Sequence, residues 1–202
     1  MPLLSRRDHK KKDPFRDATL FIIVCEGSNR EPEYFEYFDR LSARIKVKAV
    51  ANIDGKSSPK HMVNNASVTV DQIVLDGGDY SLWIVIDTDH WIKQGHIPQL
   101  KKSCDEQNWN LAISNPCFEV WLNFHLSSRQ PEKSIELCKT WKTFLDKHDT
   151  EFSHETLPAL IETAIINSKK HFQQKGFLPE PGSTQVFKLA QQIWPLVEKV
   201  LK

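Results

Sequence analysis

Short, unbroken apolar runs alternate along the first part of the chain with longer stretches in which apolar residues recur every three or four positions. Thr19 to Cys25 is the first such run, rich in β-branched residues, and reads as a strand covered on both faces. Gly27-Ser-Asn-Arg30 breaks it. Glu31-Pro32 then opens a helix in which Tyr34, Phe35, Phe38 and Leu41 form an apolar stripe. Proline suits the first helical turn, where its missing donor is not needed. A second strand is expected from Lys46 to Ile53, a turn at Asp54-Gly55, and a helix from near Ser58-Pro59 to about Leu75, although Val63, Val68, Val70, Ile73 and Val74 are β-branched. Asp76-Gly-Gly-Asp79 ends that helix. Leu82 to Ile86 is the third expected strand, Ile97 to Gln107 a short helix, and Trp109 to Ile113 the fourth strand. Asn115-Pro116 reads as a further helix start, asparagine capping and proline in the first position, before the apolar segment Cys117 to Leu126.

This alternation predicts an α/β fold with a mainly parallel four-stranded sheet between helices. From about Pro131 onward no strand is expected; helices near 132–147, 155–174 and 184–201 form an all-helical extension, with Phe177 to Gly182 as the last loop. Three parts follow: a basic arm over 1–17, an α/β domain over 18–128 and a helical extension over 129–202 packed on it. The arm could gather against phosphates through Arg6, Arg7, Lys10, Lys11 and Lys12, or remain a solvated tail.

Composition narrows the class. The chain has 202 residues, 40% hydrophobic and 26% charged, enough to bury a core without disulfides. A net charge of +1 does not favour binding nucleic acid through bulk positive charge, though it leaves room for a local basic groove. Cys25, Cys104, Cys117 and Cys138 are far apart with no C-x-x-C spacing, so they read as reduced core thiols. No apolar stretch approaches the roughly 20 residues needed to span a bilayer, and no membrane partner is expected. A cytoplasmic location follows from the same reading.

The candidate chemistry sits at strand ends. Glu26 closes the first strand and Asp87-Thr-Asp89 the third. If these strands are neighbours in a parallel sheet, three carboxylates meet at its carboxyl edge, where open α/β folds place ligands. Neighbouring strands lie about 4.8 Å apart, so Glu26 and Asp87 can approach one ion. Asp89 points to the same side if the chain stays extended. Such a cluster fits Mg²⁺ or Mn²⁺, and magnesium beside carboxylates usually means phosphate chemistry. Each acid alone also reads as a turn residue ending a strand. Gly27 lets a phosphate or backbone approach closely. Glu31 is either a cap at a helix start, in a Ser28-x-x-Glu31 pattern, or a general acid or base beside Glu26. Glu119, a carboxylate in an apolar helix, must be paired, ligated or facing the cleft. Ser114 and Asn115, with the first amides of that helix, could hold a phosphate. Arg30, Lys56 and Lys93 are further phosphate contacts or solvated charges; His90 and His125 could assist proton transfer or be ordinary surface and core histidines.

Four segments carry a resemblance to a known family: Ile22-Ile-Val-Cys-Glu-Gly-Ser-Asn-Arg-Glu-Pro-Glu-Tyr-Phe35, Trp83-Ile-Val-Ile-Asp-Thr-Asp89, Ile113-Ser-Asn-Pro-Cys-Phe-Glu-Val-Trp-Leu122 and Gly182-Ser-Thr-Gln-Val-Phe-Lys-Leu189. In this order they resemble the RloB-like family, whose members carry a Toprim-type domain and are often associated with bacterial restriction and phage defence. The resemblance implies a Toprim-like sheet with Glu26 as the first-strand acid and Asp87 and Asp89 as the metal-binding pair. The family pattern E-G-x-x-T-E-P usually has threonine where this chain has Arg30, which leaves Glu31 matched but removes a hydroxyl. The expected function is metal-dependent cleavage of phosphodiester bonds in DNA or RNA, with Glu26, Asp87 and Asp89 holding the metal, Glu31 or Glu119 serving proton transfer or a second metal, and Gly27, Ser28, Asn29, Arg30, Ser114 and Asn115 contacting phosphate or nucleic acid. Tyr34 and Tyr37 lie on or beside the apolar stripe, which disfavours a tyrosine nucleophile. The alternative is a non-catalytic partner of another defence-system protein that senses a nucleotide or nucleic acid; either could form a homo-oligomer.

Overall fold

A computed structural model of the chain describes residues 19–27, 29–49, 59–74, 79–91, 95–148 and 156–202. The basic arm, Ser28, the Asp54-Gly55 turn, Lys56 and Lys93 lie outside the described residues, as does the side chain of His90. The first half follows the periodicity closely: β1 (Leu20–Cys25), α1 (Arg30–Leu41), β2 (Ile45–Ala49), α2 (Pro59–Ile73) and β3 (Tyr80–Asp87). Then come α3 (Thr88–Trp91), α4 (His96–Glu106), β4 (Asn110–Asn115) and α5 (Glu119–Leu126). α2 forms despite its β-branched residues because it buries Met62, Ala66 and Thr69, and the Thr69 hydroxyl donates to Asn65 O at 2.7 Å.

Four strands are parallel in the order β2-β1-β3-β4. Both faces of the sheet are covered, as the unbroken apolar runs require. Phe21, Ile23, Cys25, Trp83, Val85 and Ala112 face one layer, where α1 contributes the fully buried Phe35 and Phe38. Burial of each such ring stabilises the fold by about 1.5–3 kcal/mol. Ile22, Val24, Leu82, Ile84, Ile86 and Ile113 face the other, against residues of α2, α3 and α4.

After β4 the structure departs from expectation in two places. Asn115 does not cap a helix: it ends β4, is joined to Pro116 by a cis peptide, and α5 begins only at Glu119. The intervening turn is used to hold the end of β3. Pro116 O accepts the N–H groups of Thr88 and Asp89, both at 3.1 Å, while Asn115 accepts from the Thr88 hydroxyl at 2.9 Å and donates to Pro179 O at 2.8 Å. The second departure is that the last third is not all helical. α6 (Cys138–His148) is followed by a 3-10 turn at Leu157–Leu160, α7 (Ile161–His171), the hairpin strands β5 (Gln174–Lys175) and β6 (Leu178–Pro179), β7 (Ser183–Thr184) and α8 (Val186–Leu201). β7 pairs antiparallel with β4 and makes the sheet five-stranded, in the order β2-β1-β3-β4-β7.

The segment after residue 129 is therefore built into the sheet as well as packed on it. Leu189, Ile193 and Val197 of α8, Ile161 and Ala164 of α7 and Trp141 of α6 share one core with α1 and α5. Gly182-Ser-Thr-Gln185 fastens the joint. Gly182, at φ +79°, donates to Asn115 O at 2.8 Å; Ser114 and Thr184 hydroxyls lie 2.9 Å apart; and Gln185 receives the Ile113 N–H at 3.3 Å while donating to Phe177 O at 2.7 Å. Among the described residues no helix is long and apolar enough to cross a membrane.

Candidate metal centre

The register of β1 and β3 sets Cys25 opposite Val85, and the Glu26 N–H donates to Val85 O at 3.1 Å. Glu26 and Asp87 thus leave adjacent parallel strands at the same edge. Asp89 follows by a different route from the one expected, because the chain is not extended there: Thr88 and Asp89 enter the helical turn α3, pinned by Pro116 O. Asp89 still lines the cleft. So do Gly27, Asn29, Arg30, Glu31, Asp87 and Glu119, around a volume of about 500 Å³.

Asp87 is the focus of this edge. The residue is half-buried, but its Oδ1 is sealed from solvent and has no hydrogen-bond partner among the described residues. Burial pushes its carboxyl well above the usual carboxylate range, and the charges of Glu31, Glu119, Asp89 and Glu26 push it the same way. The four other acids expected at this site therefore all act on Asp87. An acceptor buried without a donor is costly, and a divalent cation with oxygen preference is the group that such a cluster fits.

Glu31 lies in the first turn of α1, and its carboxylate folds back over Gly27. A Cβ at Gly27 would lie 2.7 Å from Glu31 Cδ and 2.8 Å from Oε1, and would collide with Oε2. Gly27 has no positive φ, so space rather than backbone conformation excludes a side chain. The close approach that the glycine permits is that of Glu31 itself. Burial raises the affinity of Glu31 for a proton, and the charge of Glu119 adds to it against the opposing pull of Arg30 and Lys142.

Glu119 is 3% exposed and fully partnered on one oxygen. Arg30 Nη1 donates to its Oε1 at 2.6 Å, with Lys142 Nζ 3.8 Å away, while Cys138 Sγ lies 3.6 Å from Oε2. Arginine at the position where the family pattern has threonine is thus the main counter-charge of Glu119. Trp91, in α3, donates its indole N–H to Glu26 Oε1. Three of these residues, Trp91, Cys138 and Lys142, were not among the sequence candidates. Only the four-residue spacing of Cys138 and Lys142, which puts them on one face of α6, hinted at a shared role.

The other candidates fall elsewhere. Ser114 is buried against Thr184 and Asn115 is committed to Thr88 and Pro179, so neither has its side chain turned to the cleft. His125 is buried in the helical core, 2.9 Å from the Tyr34 hydroxyl and 3.1 Å from Trp121 O. Desolvation lowers its pKa to about 3, and raises that of Tyr34. Both are core partners. A second groove, about 780 Å³, runs beside α6 and carries Arg129, Lys133, Lys139 and Lys147 with Phe144, alongside Glu132.

A family model described as RloB-like protein matches residues 21–193, which includes every described acid of the cleft. The chain belongs to the RloB-like protein family. Among curated proteins and among solved structures, none matches it. In this RloB-like protein the matched span runs from β1 into α8, so the family pattern includes the β7 strand and the Gly182-Ser-Thr-Gln185 joint as well as the acidic strand ends.

Proposed function

We propose that this RloB-like protein is a hydrolase that cleaves phosphodiester bonds in nucleic acid with a divalent cation, Mg²⁺ or Mn²⁺, held by Glu26, Asp87 and Asp89. The observation that carries the reading is the sealed, donor-less Oδ1 of Asp87, on which the charges of four further carboxylates act at one sheet edge. A cation bound there would neutralise phosphate charge and make a water molecule more acidic. Glu31, whose proton affinity is raised by burial, would accept or donate a proton in this reading. Arg30, half-exposed on the cleft wall and held by Glu119, offers its remaining N–H donors to a phosphate. The order of acids, one after β1 and a D-x-D after β3, supports a Toprim-type centre and, with the family, a role in bacterial phage defence.

The nucleic-acid assignment draws on the second groove. Arg129, Lys133, Lys139 and Lys147 gather positive charge that the near-neutral whole chain does not suggest. Because α6 carries Lys139 and Lys147 into that groove and Cys138 and Lys142 into the cleft, one strand could follow both. The test is incubation of the purified protein with single- and double-stranded DNA and with RNA, with Mg²⁺ or Mn²⁺. Cleavage of at least one substrate, requiring metal and lost in Asp87→Asn, is expected. No cleavage of any substrate would leave the sensing-partner role as the better account, and cleavage undiminished by that substitution would overturn the assignment of the metal to Asp87.

A further inference from the structure

Sulfur enters the wall of the cleft beside the acids. Cys117 lies two residues before α5 and is buried; Cys138 opens α6 and is half-buried; Glu119 opens α5. Cys117 and Glu119 flank the entry to α5 and Cys138 comes from the start of α6, and one ligand atom from each lies within 4.8 Å of the others. We infer that Cys117, Glu119 and Cys138 form a second cation site, one that takes a soft divalent ion of the zinc class.

The geometry is close to what such an ion requires. Zinc stands about 2.3 Å from a thiolate and about 2.1 Å from a carboxylate oxygen, so a tetrahedral site has a sulfur-to-oxygen edge of about 3.6 Å and a sulfur-to-sulfur edge of about 3.8 Å. The Cys138 Sγ to Glu119 Oε2 distance is 3.6 Å. The remaining edges need to close by about 1 Å at most, given the upper limit of 4.8 Å. The two oxygens of Glu119 are already divided: Oε1 pairs with Arg30 and Lys142, and Oε2 faces the sulfur. Ligation through Oε2 therefore leaves the ion pairs in place.

Charge and chemistry agree with this assignment. Two thiolates, one carboxylate and one divalent ion sum to −1, and the cations of Arg30 and Lys142 stand beside them. Binding forms two metal–sulfur bonds and one metal–oxygen bond, releases the two thiol protons to water and moves no electrons. The fourth tetrahedral position is left to water. Thiolate ligands select soft ions, whereas the oxygen cluster at Asp87 suits hard ones, so the two centres differ in the metal they take. An ion here would also tie the start of α5 to the start of α6 and hold Glu119 in place.

Titration of the reduced, metal-free full chain with Co²⁺ tests the site through the thiolate-to-cobalt charge-transfer band in the near ultraviolet. One equivalent should develop the band, and Zn²⁺ should bleach it. Cys138→Ala should abolish the band, Glu119→Gln should weaken Co²⁺ binding by tenfold or more, and Asp87→Asn should leave the band intact while removing Mn²⁺ binding. Circular dichroism of each variant guards against misfolding; the half-buried Cys138 at a helix start is the safer thiol to replace, with Cys117→Ser as the second variant. A wild-type titration without the band, or a band that survives in a folded Cys138→Ala protein, overturns the inference.

Discussion

Gly27→Ala isolates the packing of Glu31 from its charge. The added Cβ would sit 2.7 Å from Glu31 Cδ and 2.8 Å from Oε1 and would collide with Oε2, against an ordinary contact of about 3.4 Å or more, so the carboxylate must retreat by roughly 1 Å or more. That retreat forces a strained rotamer costing about 0.5–1.5 kcal/mol. Alanine at a permitted φ also restricts the unfolded chain and returns about 0.4–1 kcal/mol, so the net stability change is within about 1 kcal/mol, or roughly 4 °C in Tm. The site feels the shift more strongly, because a displacement near 1 Å at a positioned group costs on the order of 10²-fold in rate. The assay is a double-mutant cycle by thermal denaturation and metal-dependent cleavage, using Gly27→Ala, Glu31→Ala and the pair. In the Glu31→Ala background the added methyl meets no carboxylate and should stabilise by about 0.4–1 kcal/mol. A Gly27→Ala protein with unaltered metal-dependent activity, or a cost that persists without Glu31, would refute the packing argument.

Three further outcomes follow from the pairs described. His125 has a folded pKa of about 3 through desolvation, below its unfolded value, so the stability it contributes is full above about pH 6.5 and falls with pH toward 3; the loss between about pH 6.5 and 5 should be about 2 kcal/mol. Urea denaturation at both pH values should show that slope, and His125→Gln should flatten it. Tyr34→Phe removes the 2.9 Å hydrogen bond to His125 and should cost about 1–3 kcal/mol in denaturant while leaving cleavage unchanged; lost cleavage in a folded variant would restore a tyrosine to the mechanism. Arg30→Met takes the 2.6 Å partner from Glu119, and because Arg30 is half-exposed the cost should be about 1–2 kcal/mol, measured by denaturation and largely absent in a Glu119→Gln background.

Where the chain repeats a pattern over several residues, the fold is legible in the sequence. The apolar runs at Leu20–Cys25 and Leu82–Ile86 read as strands covered on both faces, and the stripe of Tyr34, Phe35 and Phe38 as a helix against them, and each forms as read. The placement of Glu26 and Asp87 then follows from strand polarity once β1 and β3 are neighbours, as they are in the sheet. What cannot be read is what pattern does not encode. β7 has two residues, too few for any period, and is fixed by hydrogen bonds to β4 from far along the chain. Asn115-Pro116 carries a strong local helix-start signal, but the need to hold Thr88 and Asp89 through Pro116 O takes precedence. The partners of the acids are equally hidden: Trp91, Cys138 and Lys142 reach Glu26 and Glu119 only because the core brings α3 and α6 to the same edge.

The most direct test of the carboxylate centre is Mn²⁺ binding followed by electron paramagnetic resonance, since it reads the ion without requiring a substrate. Loss of free Mn²⁺ signal on adding wild-type protein, and its return with Asp87→Asn in a folded state, is the predicted result. Wild-type protein that leaves the free signal untouched, or an Asp87→Asn variant that binds Mn²⁺ as tightly as wild type, would contradict the account.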